Sequence, residues 1–318
     1  MIEAPYHEAR DTNPVLPAAR GVVSEAVLSA LRDRHEPRVS SQAVARTEPY
    51  GDDLQPALHL LYELHYQGFR SVGDDREWDA DLLRLRGALE CRFLRAPRSD
   101  VPQGTSTRDA LAEILGEPVV DDGTGVSHCL RSEGHLWQVR EYAALRSPYH
   151  LKEADPHACV IPRLHGRAKA AMVAMEYDEF GAGRAEEMHA RLFANLTDDL
   201  GLDHTYGRYL DAAPAQVLCT VNVMSLFGPH RALPGLVGRF AAVEVTSSPD
   251  SRRLAKAMRR TGAGPAAEPV LDADMAFGIH ATGLLEHRLA EFLLTVWRGG
   301  RSALRIPLAT TASHADRP

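Results

Sequence analysis

From Val22 to Arg298 the apolar residues recur at three- and four-residue intervals, and alternating apolar–polar runs are nearly absent. That period lines up one face of a helix, whereas a half-buried strand needs a period of two. The stripes can be traced over Val22–Asp33 and over 55–69, 79–94, 107–115, 136–146, 165–180, 186–200, 217–227, 233–246, 252–260 and 270–298. Pro156, Pro162, Pro214, Pro229 and Pro249 stand between stripes, where a residue without an N–H does least harm. The expected fold is all-α, a bundle of successive helices joined by short connectors. Residues 95–108, with Pro97, Pro102 and Gly104, read as a linker, and 118–134 as a loop. The polar, proline-containing stretches 1–20 and 306–318 are expected to be disordered or extended.

Composition narrows the function classes. The net charge of −7 argues against a nucleic-acid surface, which needs a basic footprint. Cys91, Cys129, Cys159 and Cys219 form no Cys-x-x-Cys pair, so neither a disulfide framework nor a zinc or iron–sulfur knuckle is expected. They read as reduced, mostly buried thiols. Residues 1–20 lack an apolar core of the signal-peptide kind, and no apolar run reaches the roughly 18 residues a membrane span requires. The expectation is a cytoplasmic protein with no membrane or nucleic-acid partner, working on a small molecule; a homodimer is left open.

Three residues could carry chemistry. Met172, Met175 and Glu179 fall on one helical face, so an acid continues an apolar stripe. Gly181 and Gly183 then break the helix, and His189 shares a stripe with Leu192, Phe193 and Leu196 on the next. Glu244 likewise closes the stripe of Leu233, Val237 and Phe240. A buried carboxylate needs a cation, a proton or a partner. Two readings stay open on phase alone: ordinary core groups paired to arginine or backbone, or Glu and His ligands aimed into a bundle that holds iron or manganese. No catalytic acid, base or nucleophile stands out, and no glycine-rich piece follows a strand as a phosphate or dinucleotide loop would.

The run Glu179-Phe180-Gly181-Ala182-Gly183, followed by His189, Leu192 and Phe193, resembles the signature of the haem-oxygenase-like non-haem iron oxidases, the iron-containing redox enzymes. The likeness extends to Tyr62–Phe69, Lys152–His157, Val221–Phe227 and Glu244–Ser248. It implies a haem-oxygenase-like bundle over 109–305 with an N-terminal helical extension over 21–108. It also implies an iron-dependent oxidase or oxygenase that uses dioxygen as co-substrate on an amino acid, amine or fatty acid. By motif position, Glu179, His189 and Glu244 match three of the family's metal ligands.

One departure bears on the metal. The family's next helix carries His-x-x-x-Asp-x-x-His, and that pattern occurs nowhere in this chain. The sequence instead runs from Arg253 through Ala263-Gly264-Pro265-Ala266-Ala267 into a stretch resembling the family's last helix. The expectation is Fe(II) at no more than one per chain, with no second complete metal position. A metal-poor relative that binds a partner instead of catalysing is the other reading. A cleft bordered by Met172, Met175, Phe193 and Phe240 is expected where the missing helix would lie. Glu153, Asp155 and His157, around Pro156, read as turn and capping residues. Glu63 or His65 reads as helix packing, and His280 and His287 as a solvated or half-buried pair.

Overall fold

A computed structural model describes residues 13–102, 104–116, 126, 129–130, 133–228, 235 and 268–308. Among them no strand occurs, and the fold is all-α, as the periodicity requires. The helices are α1 (Val22–Asp33), α2 (Ser41–Arg46), α3 (Leu54–Glu63), α4 (Ala80–Asp100), α5 (Thr107–Gly116), α6 (Leu136–His150), α7 (Ala154–Ala158), α8 (Gly166–Glu179), α9 (His189–Asp199), α10 (Ala215–Phe227) and α11 (Glu268–Arg298). Glu244, Phe240 and the expected helices over 233–246 and 252–260 lie outside the described residues.

Two helices are buried on nearly all sides, and they form the axis of the molecule. Every residue of α3 is buried, and so is every residue of α10 except Gln216. The two pack on each other, α1 covers α3, and α11 lies along α10 and α5. Asn222 fixes their register, donating through Nδ2 to the Gln55 backbone carbonyl (2.9 Å) and to Gln55 Oε1 (2.8 Å). A single apolar cluster draws on residues from Val23 to Leu304.

Where helices end differs from the sequence reading in instructive ways. Helix α4 runs to Asp100, with Pro97 inside its last turn, so the expected linker begins later than residue 95. Phe93 and Pro97 are buried, and tertiary packing outweighs the proline. Helix α3 stops at Glu63 instead of running on to Phe69, the chain turning at Gly68 with φ of 67°. Helix α6 continues to His150 through Pro148, which matters for the site below.

The end of α11 is fastened by one carboxylate. Glu141 on α6 accepts from Trp297 Nε1 (2.8 Å) and Ser302 Oγ (2.6 Å), and also from the backbone N–H of Ala303. No described helix is long and apolar enough to cross a membrane.

Candidate metal centre

Helices α8 and α9 are joined by a turn that brings two of the expected ligands together. After Glu179 the chain passes through Gly181 (φ 66°), Ala182 (φ 53°) and Gly183 (φ 84°), all in the left-handed region. A β-carbon on Gly181 would lie 2.6 Å from the Met188 nitrogen, so only glycine lets the two chain segments approach. Ala182 takes the same conformation at a cost of roughly 1–2 kcal/mol. The result sets Glu179 Oε2 3.2 Å from His189 Nδ1. That carboxylate oxygen is buried and accepts no hydrogen bond among the described residues. A buried carboxylate oxygen that has only an imidazole nitrogen beside it suits an ion pair with a protonated ring or a pair of metal ligands.

The other side of the His189 ring meets residues that sequence reasoning treated as turn formers. Glu153 is the N-cap residue of α7, yet its side chain makes no capping hydrogen bond. Instead Oε1 accepts from the Tyr149 hydroxyl (2.6 Å), and Oε2 lies 3.2 Å from His150 Nδ1 and 3.5 Å from His189 Nε2. Burial alone would raise the Glu153 carboxyl. The hydrogen bond and charge of His150, the Tyr149 hydroxyl and His189 outweigh it and hold it down at about 2. The His150 and His189 rings stack at 5.4 Å and 12°, and Phe193 lies 4.7 Å from His150. His150, Glu153 and His189 each offer a ligand atom, all within 4.8 Å of one another. The available signal was the spacing: Tyr149 and Glu153 at i, i+4, and His150 and Glu153 at i, i+3 across the end of α6.

The surroundings are acidic. Burial, then the charges of Glu179, Asp155 and Glu153, push Glu176 up to about 8. It lies buried on α8, 3.9 Å from His157 Nδ1, with neither carboxylate oxygen hydrogen-bonded among the described residues. The cation next in sequence to Glu153 is not free to balance these charges. Lys152 Nζ lies 2.8 Å from Glu63 Oε2 with both side chains fully buried, and 4.5 Å above the Tyr66 ring. Tyr206 donates to the second Glu63 oxygen at 2.8 Å.

A cavity of about 230 Å³ opens beside this group, lined among others by Gln67, Glu153, Asp155, Glu179, Met188 and His189. Its lining differs from the expected cleft. Met172 is buried outright, Met175 and Phe193 are half-buried and do not line it, and Phe240 lies outside the described residues. The inner stripe expected for α9 is also rotated. Leu192 and Leu196 are exposed, while Ala194 and Thr197 are the buried positions, because α9 packs against α6. His280 lies 3.9 Å from Glu113, and His287 is exposed beside Glu291, so neither joins the group. Cys91 and Cys159 are exposed, against the expectation of mostly buried thiols, and no cysteine joins the group either.

Residues 140–271 match the iron-containing redox enzymes. The match spans His150, Glu153, Glu179 and His189, and it supports the haem-oxygenase-like iron redox family that the motifs resemble. It supports a general iron-dependent redox function for this region. A search of curated proteins finds no match. The donor set fits iron: imidazole nitrogens and carboxylate oxygens, one of the latter buried with no hydrogen-bond donor among the described residues.

Proposed function

We propose that the chain is an iron-dependent oxidoreductase that uses dioxygen to oxidise a small organic substrate such as an amino acid, amine or fatty acid. The observation carrying this reading is the approach of Glu179 Oε2 to His189 Nδ1, with that oxygen accepting no hydrogen bond among the described residues. Glu179 and His189 would hold Fe(II) together with Glu244, at no more than one ion per chain. Bound iron would supply the one-electron steps that let dioxygen react with a closed-shell organic molecule. The chain's own part is to place a substrate in the cavity beside Glu179 and His189, and to limit water there through Phe180 and Met188. In this reading residues 109–305 form the bundle that carries the site, with 21–108 packed on it as an extension.

The lack of a His-x-x-x-Asp-x-x-His helix favours a second reading, a metal-poor relative that binds a partner and no longer catalyses. One experiment separates them. Anaerobic Fe(II) loading followed by desalting should leave close to one iron per chain, and admission of oxygen should change the absorption spectrum. Glu179→Gln and His189→Ala should each lose the iron. Retention of no iron by the unaltered chain, at neutral pH and without chelator, establishes the metal-poor reading. Two retained irons would show that other residues replace the missing helix.

A further inference from the structure

A carboxylate stands against each nitrogen of the His189 ring: Glu179 Oε2 3.2 Å from Nδ1, and Glu153 Oε2 3.5 Å from Nε2. The nitrogens of one imidazole point in different directions, so one ion cannot bond both. When a metal takes one nitrogen, the other keeps the ring proton and needs an acceptor. We propose that Glu153 is a positioning residue that holds the His189 proton on Nε2, leaving Nδ1 to face Glu179 and the metal. The proposal rests on the metal reading above and assigns a role within it that the sequence motifs do not.

The two carboxylates differ in what already engages them. Both Glu153 oxygens are already held, by Tyr149 on one and His150 on the other, and each keeps a lone pair for a further donor, which suits an acceptor fixed in place. Glu179 has an oxygen with no donor among the described residues, which suits a ligand. The hold on Glu153 continues away from the site. Tyr149 is 1% exposed, the Arg146 guanidinium lies 4.6 Å over its ring, and Arg146 is paired to Glu286 of α11 at 3.1 Å. The parallel His150 ring limits rotation of His189 about its own axis. Glu153 therefore sits at the end of a packed line running from the last helix to the imidazole. A carboxylate so placed fixes the tautomer and aim of a ligand histidine, and removing such partners costs metal affinity about 10- to 100-fold.

The competing arrangement puts the ion on Nε2 with Glu153 and His150 as ligands, and a spectrum distinguishes the two. The full chain, labelled with ¹⁵N-histidine and loaded with zinc(II) as a diamagnetic probe, is read by long-range ¹H–¹⁵N correlation. The expected result is zinc on Nδ1 of His189 and a proton retained on Nε2. In Glu153→Gln the Nε2 proton should exchange with water faster, and the zinc Kd should rise about 10- to 100-fold. Tyr149→Phe, which removes only the hydroxyl steadying Glu153, should move both quantities the same way by less. This milder variant keeps the test readable should the first fold poorly. Zinc on Nε2, or an unchanged Nε2 proton and Kd in Glu153→Gln, overturns the assignment. If the unaltered chain takes no zinc and His189→Ala behaves alike, the metal reading itself fails and this role falls with it.

Discussion

Lys152 and Glu63 form the most exacting test of how the interior beside the site is held. Both side chains are fully buried, their charged atoms are 2.8 Å apart, and Tyr206 donates to the other Glu63 oxygen. Replacing Lys152 with Met keeps most of the volume and removes the cation. Glu63 is then a buried carboxylate with one neutral donor, and breaking such a pair from one side costs about 3–5 kcal/mol. Against the roughly 5–15 kcal/mol total stability of a folded protein, that is a large fraction. Replacing both residues, Lys152→Met with Glu63→Leu, removes the uncompensated charge and should recover most of the loss, leaving a coupling energy of a few kcal/mol. The pH dependence supplies a second sign. In the unaltered chain burial would raise the Glu63 carboxyl, but Lys152, His59 and Tyr206 hold it below its ordinary value. Its stabilisation is therefore present above the unfolded carboxyl range of about 4.3 and is lost as pH falls toward the lower folded value. Without Lys152 burial is opposed only weakly, Glu63 moves upward, and the variant's deficit should shrink as the pH drops from 7 to 4. Urea unfolding followed by circular dichroism at both pH values measures this. A deficit below about 1 kcal/mol at pH 7, with no pH dependence, would refute the reasoning.

Two further outcomes follow from the same geometry. Gly181→Ala should cost at least about 1–2 kcal/mol, since φ is 66° and the new carbon meets the Met188 nitrogen at 2.6 Å. It should weaken zinc binding by moving His189, which calorimetric titration reads. Glu141→Leu removes the acceptor that Trp297, Ser302 and Ala303 share and leaves the Trp297 and Ala303 N–H groups without it, at about 1–3 kcal/mol each. Red-shifted tryptophan emission below the main thermal transition would report the loosened end of α11.

The fold was legible because burial imposes one period on every long helix, and α1, α8, α10 and α11 lie within two residues of where the pattern puts them. Boundaries set by tertiary contact were not legible: nothing local tells that Pro97 and Pro148 sit inside helices. Of the site, the Glu179–His189 turn could be read from its glycines and its motif. The Glu153 side could not. In the sequence Glu153 stands beside a proline among other polar residues, where capping is the ordinary role. What sets it apart is the Tyr149 hydroxyl and the His189 ring, and α9 brings the latter from 36 positions further along the chain. Leu192 and Leu196 misled in the opposite direction. Their period is helical, but period alone does not say which neighbour a helix packs on, and α9 turns toward α6 with another face.

The two sides of His189 are built differently, and the difference bears on what each side does for a metal. On the Glu153 side both carboxylate oxygens have partners on α6, and Arg146 ties that end of α6 to α11. On the Glu179 side Oε2 has no hydrogen-bond donor among the described residues, and Glu176, one turn earlier on α8, is pushed up to about 8 by burial and its acidic neighbours. A divalent cation would relieve both conditions at once, since positive charge beside Glu179 lowers the cost of ionising Glu176. The Glu153 side should therefore hold the imidazole aimed before any ion arrives, while the Glu179 side supplies the charge that binds it. Variants on the Glu153 side should then loosen the Nε2 proton and weaken binding about 10- to 100-fold, whereas Glu179→Gln should abolish it.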